Sequence, residues 1–269
     1  MKAEFLKNKK LVIFDMDGTL IDSMGVWNEA DERVVAIIRR DGLNTKENML
    51  EVRNEALRLF STSPNPYEEY CSLLKERYKS DLSKEEIFAI RYKIASEYLE
   101  TRIKFKPYAD QLIKKLKEEG YLLAIASTTQ SKNMAIYRFK NQNIISKARL
   151  DDYFDLILAR DDCYEIKPHP EIFLKVLSTL GVKGEDAVIF EDSLVGVEAA
   201  KRAGVECCVI YDKFSDCDRD KINALADYKI DSFEELLSSY VLEKHPHGCF
   251  CFINYKIILV DRPFCIFSL

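Results

Sequence analysis

KKLVIFDMDGTLIDS (residues 9–23) runs from a short apolar stretch directly into two aspartates, a glycine, a threonine and then a third aspartate. LVIF (11–14) carries no polar residue on either face, the pattern of a strand covered on both sides in a parallel sheet. Ligands of open α/β sheets bind beyond the carboxyl ends of the strands, so Asp15 and Asp17 fall at the edge where a site would form. The strand period predicts both side chains on one side, and Gly18 permits a tight turn there. Two close carboxylates repel unless a cation lies between them or one is protonated. A hard divalent ion such as Mg²⁺ supplies that compensation, taking one or two carboxylates and leaving its other positions to water and ligand oxygens. A plain Asp/Gly turn is the alternative. An EF-hand loop is excluded, because its glycine and terminal glutamate would fall on Leu20 and Val26.

Further apolar runs repeat this strand pattern: YLLAIAS (121–127), FDLILA (154–159), AVIF (187–190) and CCVIY (207–211). Amphipathic segments separate them, such as 108–120 with Gly120 at its end and 170–181 with Pro170 at its start and Gly181 after it. Strand and helix in alternation predict an α/β fold with a parallel sheet and right-handed crossovers. The interval 24–102 interrupts the alternation with four helical patterns, 24–40, 45–60, 66–79 and 83–101. Such an all-helical block after the first strand predicts a separate lobe. The expected organisation is a core of 1–23 and 103–243, a helical insert of 24–102, and a tail of 244–269 with no assigned role.

The 269 residues are 47% hydrophobic and 32% charged, a composition that buries a sizeable core. A net charge of −5 gives no electrostatic reason for a nucleic-acid or anionic-membrane partner. The longest apolar run, 250–269, is broken by Lys256, Asp261, Arg262 and Pro263, which argues against a membrane span. The first ten residues lack the apolar core of a secretory signal, and the eight cysteines form no regular framework, so a cytoplasmic protein with reduced thiols is expected. A metal site from His245, His247, Cys249 and Cys251 would crowd four ligands into seven residues, unlike the usual two separated pairs; a strand-forming or packing segment is the expectation for the tail.

Other strand ends supply complementary groups. The second run ends in Ser127-Thr128-Thr129, hydroxyls and backbone N–H groups leading into a helix, which can cradle an anion or simply cap the helix. AVIF ends in Glu191-Asp192-Ser193; adjacent strand residues point to opposite faces, so one of the two acids is the expected ligand unless the chain bends. Lys167, made extended by Pro168, can hold a phosphate against the repulsion of these acids.

Together, DMDGTL (15–20), Ser127, Lys167 in KPHPEIF (167–173) and FEDSLVG (190–196) resemble the four motifs of the haloacid dehalogenase superfamily of phosphohydrolases, in the right order and across roughly residues 9–240. The resemblance implies a Rossmann-like core with a helical cap inserted after the first motif. It implies Asp15 as nucleophile, forming an aspartyl-phosphate, and Asp17 as general acid and then base. It also implies Mg²⁺ held by Asp15, the backbone carbonyl of Asp17, Asp192 and Glu191. Ser127 and Lys167, with Thr128 and Gly18 beside them, would bind the phosphoryl group. Within the superfamily the chain is most similar to β-phosphoglucomutase-type phosphatases and mutases. The mutases carry a cap histidine ten residues after the second aspartate, where this chain has Trp27, and their glycine-rich, arginine-bearing cap loop is not evident in 41–57. A phosphatase of a small phosphorylated metabolite is therefore expected ahead of a sugar-phosphate mutase. A non-catalytic binding module should have lost one of the acids. Arg53 and Arg58 are candidate cap contacts, though a helix so charged predicts that both face solvent.

Overall fold

The computed structural model describes residues 4–39, 41–43, 45–60, 63–237, 250–253 and 256–259. Six parallel strands form one sheet: β1 (Leu11–Phe14), β2 (Leu122–Ala126), β3 (Leu156–Leu158), β4 (Ala187–Glu191), β5 (Glu206–Ile210) and β6 (Tyr228–Ile230), in the order β3-β2-β1-β4-β5-β6. The uninterrupted LVIF run lies at the centre, where both faces are covered, and all four of its residues are fully buried. Phe14 lies level with Ile125 of β2 on one side and Phe190 of β4 on the other. This register brings the carboxyl ends of three strands to one place.

Alternate residues of each strand feed two separate cores. Val12, Phe14, Leu123, Ile125, Val188 and Phe190 face one layer. It includes α5 (Ala109–Glu118), α6 (Ser131–Phe139), α7 (Gln142–Ile145) and α8 (Leu150–Tyr153). Leu11, Ile13, Ala124, Ala126 and Ile189 face the other, with α9 (Glu171–Leu180), α10 (Leu194–Arg202) and α11 (Arg219–Leu225). The fold class is α/β, as expected. β6, a three-residue strand carrying Lys229, was too short and too polar to stand out in the sequence.

Four helices occupy the interval between β1 and α5: α1 (Met24–Ile38), α2 (Met49–Leu59), α3 (Pro66–Tyr78) and α4 (Lys84–Thr101). Their apolar stripes meet in a third core of their own, containing Val34, Val35, Met49, Val52, Leu74 and Ile87. The second helix begins at Met49 rather than 45 because the Asn48 side chain accepts the Leu50 N–H and caps it. Ser83 and Glu86 form a reciprocal capping box that fixes the start of α4. The chain leaves and re-enters the sheet region through adjacent segments, the Asp22 N–H donating to the Lys104 carbonyl and the Lys106 N–H to that of Leu20.

In the tail, β7 (Phe250–Ile253) and β8 (Lys256–Leu259) pair antiparallel. His245, His247 and Cys249 lie outside the described residues, as does the side chain of Cys251. No helix among the described residues is long and apolar enough to cross a membrane.

Candidate active site

Beyond Phe14 the chain makes one more sheet-like bond, from the Asp15 N–H to the Phe190 carbonyl, and then turns. The N–H groups of Leu20 and Ile21 both donate to the Met16 carbonyl, and Gly18 takes a φ of +87°. Here glycine is required twice over. The angle disfavours any Cβ, and a Cβ would sit 2.5 Å from Asp192 Oδ2. The first loop therefore passes directly over the end of β4.

Lys167 ties the strand ends together. Its buried ammonium donates to Asp15 Oδ1 at 2.6 Å, to Glu191 Oε1 at 2.6 Å and to the Ala126 carbonyl at 2.9 Å, using all three protons on the ends of β1, β4 and β2. Glu191 Oε2 accepts from the N–H groups of Asp192 and Ser193 and from the Ser193 hydroxyl. Strand β4 stops at Glu191, and this bend brings both neighbouring acids to the same site, which a regular strand would not do. Asp192 accepts from the Thr19 hydroxyl at 2.9 Å and from the Ser215 hydroxyl at 3.2 Å.

Asp15, Glu191 and Asp192 are all buried and offer carboxylate oxygens within 4.8 Å of one another. Burial raises Asp15 well above the usual carboxylate range; Lys167 opposes this, and Glu191 and Asp192 reinforce it. Burial, with the charges of Glu191 and Asp212, pushes Asp192 up to about 7. Lys167 pays the desolvation of burial, but Asp15 and Glu191 outweigh it and raise its pKa. Three carboxylates facing one ammonium leave an excess of two negative charges in a buried space, which suits a divalent cation. Asp15 Oδ1 and each Asp192 oxygen accept one hydrogen bond and keep lone pairs for a cation, whereas Glu191 Oε2 already accepts three.

The raised acids have a measurable consequence in the cation-free protein. Their contribution to stability is complete below the ordinary carboxylate pKa and is lost as pH rises through the folded value, about 7 for Asp192. The groups with lowered pKa values, such as Asp41 at about 2, titrate outside this window. In EDTA the melting temperature should therefore fall between pH 5.5 and pH 8, and Mg²⁺ should restore it at pH 8. A melting temperature that rises over this interval in EDTA would contradict the electrostatics.

The expected neighbour Asp17 is not part of this carboxylate group. Because β1 ends at Phe14, the strand period does not carry through to Asp17. Its Oδ1 accepts from the Ser23 hydroxyl at 2.6 Å and from Tyr137 at 3.1 Å, and its Oδ2 from the Thr129 hydroxyl. Ser127 is buried at the end of β2, its hydroxyl accepting the Thr129 N–H at 3.1 Å. Thr128 is exposed, and it is Thr129 that reaches Asp17. Tyr137 had no signal of its own, since it reads as one more apolar position on a helix. Burial, together with Asp17, raises its phenol well above the ordinary value.

Arg53 does not face solvent. It is buried against Asp31 at 2.5 Å and Asn28 at 2.9 Å, while Arg91 meets the same carboxylate at 2.6 Å and lies over the Trp27 ring. The side chain of Arg58 lies outside the described residues. Gly196 in α10 lies against the Glu191 carboxyl, where an added Cβ would come within 1.9 Å. Gly196→Ala is expected to displace Glu191 and destabilise the protein by about 1–3 kcal/mol, read as a lowered melting temperature. Unchanged melting would show that Glu191 moves freely.

The profile of the haloacid dehalogenase-like hydrolases matches residues 9–204. The chain belongs to that family. Protein CbbY of Cereibacter sphaeroides is 31% identical, over 84% of this chain and 93% of its own length. A phosphorylated carbohydrates phosphatase of Thermotoga maritima is 30% identical, over 72% of this chain and 82% of its own. The crystal structure of CbbY from Rhodobacter sphaeroides in complex with phosphate is similar with a TM-score of 0.66 and 29% identity, covering 85% of this hydrolase and 96% of that chain.

Proposed function

We propose that this hydrolase is a Mg²⁺-dependent phosphatase that cleaves a small phosphorylated metabolite, such as a sugar phosphate, through an aspartyl-phosphate on Asp15. The observation that carries the reading is the buried Asp15–Lys167–Glu191 bridge beside Asp192 at the joined ends of three strands. The names of the relatives support the substrate class: one is a phosphorylated carbohydrates phosphatase, and CbbY has been solved with xylulose-(1,5)bisphosphate.

In this reading residues 1–23 and 103–243 are the catalytic core, and 24–102 form a cap that closes over the site and excludes bulk water. Asp15 and Asp192, with Glu191 beside them and, as the family resemblance implies, the Asp17 carbonyl, would hold the cation. When bound, it neutralises charge on the phosphoryl oxygens. Ser127 and the positive charge of Lys167 hold the transferring group, and Lys167 favours the ionised form of Asp15 and aims it. An Asp15 oxygen bonds to phosphorus as the ester bond breaks, and Asp17 gives its proton to the departing oxygen. Water then attacks phosphorus, returns a proton to Asp17 and frees Asp15 and phosphate. For this Asp17 exchanges one of its hydroxyl partners, Ser23, Thr129 or Tyr137, for substrate or water.

A mutase must instead keep water from the phospho-aspartate until a second sugar hydroxyl arrives. Trp27 offers only an indole N–H and is packed beneath Arg91, so it cannot exchange protons there. ³¹P NMR of a panel of phosphorylated metabolites with Mg²⁺ tests both points. Release of inorganic phosphate is expected, β-glucose 1-phosphate included if it is accepted, with glucose 6-phosphate a minor product. Conversion to glucose 6-phosphate without phosphate release would make the protein a mutase, and no turnover of any ester would overturn the reading altogether.

A further inference from the structure

One buried ion pair beside the carboxylate group is not used in the reaction above. Lys106 and Asp212 meet at 2.8 Å, both side chains about nine-tenths buried or more. The Lys106 ammonium also donates to the Tyr211 carbonyl at 3.0 Å. Asp212 Oδ1 accepts the Phe214 N–H at 2.9 Å, and the Asp212 carbonyl accepts from Arg219 at 2.7 Å. These bonds fix both ends of the short turn after β5, Lys213–Asp218. Within that turn Ser215 donates its hydroxyl to Asp192 Oδ2, while Thr19 holds the other oxygen.

A surface turn held by a buried pair is built to place something, and it reaches the carboxylate group through that Ser215 hydroxyl. A carboxylate gripped on both oxygens has its rotation fixed before any cation arrives. Lys106 sits in the segment where the chain returns from the four helices, its own N–H bonded to Leu20 in the first loop. Phe214 of the same turn lies against Gly25 at the start of α1. The turn therefore touches the chain on both sides of the helical insert.

We infer that Lys106 and Asp212 are positioning residues, which act through Ser215 to orient Asp192 and so set the affinity of the site for a divalent cation. This rests on the cation reading proposed above. The ligand carboxylate loses freedom in the empty protein, so less is lost on binding.

The test is Mn²⁺ affinity, read from the paramagnetic resonance of free Mn²⁺, on the full chain without substrate. The double variant Lys106→Met/Asp212→Asn removes one charge of each sign, so the net charge is conserved and the two opposed influences on Asp192 are removed together. It should bind about tenfold more weakly, as should Ser215→Ala, while Ser215→Thr, which keeps the hydroxyl, stays within about twofold of the parent. Combining Ser215→Ala with the double variant should add no further loss, since both break one chain of contacts. Parental affinity in either variant, or additive losses in the combination, overturns the inference. If the double variant does not fold, the contrast between Ser215→Ala and Ser215→Thr decides it alone. Asp192→Asn serves as reference. A parent protein that binds no Mn²⁺ sinks the cation reading and the positioning role together. Binding by the parent, lost in Asp192→Asn but kept in the positioning variants, sinks the positioning role alone.

Discussion

Asp15→Asn should fold like the parent and lose at least about 10³-fold in turnover, because the proposed covalent step is removed entirely. Asparagine keeps the size and the hydrogen-bonding oxygen, so Lys167 retains Glu191 and the Ala126 carbonyl as partners and gains no clash. What disappears is the negative oxygen that bonds to phosphorus in the proposed reaction. The stability effect runs the other way. Burial already penalises the charged form of Asp15, and Glu191 and Asp192 add repulsion, so the neutral amide relieves cost in the cation-free protein. Phosphate release and thermal melting in EDTA read the two quantities separately. Turnover near the parental rate would remove Asp15 as nucleophile, whereas lost turnover with a collapsed melting temperature would mean that the site had unfolded rather than lost its chemistry.

The central part of the site was legible because chemistry and strand ends coincide. LVIF has no polar face, so it must lie inside a parallel sheet, and whatever follows it stands at the ligand edge. The same logic located Ser127, Glu191 and Asp192 at the ends of two other strands, β2 and β4. Lys167 lies on a loop, where no period points inward, and only its company with the acids marked it out; the structure gives it three partners at three strand ends.

Other parts were not legible, for identifiable reasons. Asp17 was assigned the same side as Asp15 on a two-residue period, but that period ends where the ladder ends, at Phe14. Which hydroxyl after β2 would turn inward depended on the start of α6, and the sequence TT offers both; Thr129 reaches Asp17 while Thr128 is exposed. Arg53 read as solvent-facing because its helix is charged, yet its partner Asp31 comes from another helix, and pairing across helices has no sequence period. Lys106 is more than a hundred residues along the chain from Asp212, and Ser215 is 23 residues from Asp192, so nothing local could have connected them.

Lys167→Met should be the most destabilising single change at the site. The methionine fills much of the volume but supplies no charge and no donor, so Asp15 and Glu191 would face each other unpaired and the Ala126 carbonyl would lose its bond. Removing one partner of a buried ion pair costs about 3–5 kcal/mol, which corresponds to a melting temperature lower by about 10 °C in a protein of this size. The cost is electrostatic, so it should depend on pH. With the ammonium gone, Asp15 rises further above its ordinary value, because Lys167 is the charge that now opposes its burial. Protonation then relieves the repulsion, and the deficit against the parent should be larger at pH 8 than at pH 5.5. Turnover should fall by at least about 10²-fold as well, since in the proposed reaction the transferring phosphoryl group loses its fixed positive charge. Melting curves of parent and variant in EDTA at the two pH values check the argument. A deficit equal at both would mean that Lys167 acts by packing, and no deficit at pH 8 would mean that the buried carboxylates do not need it.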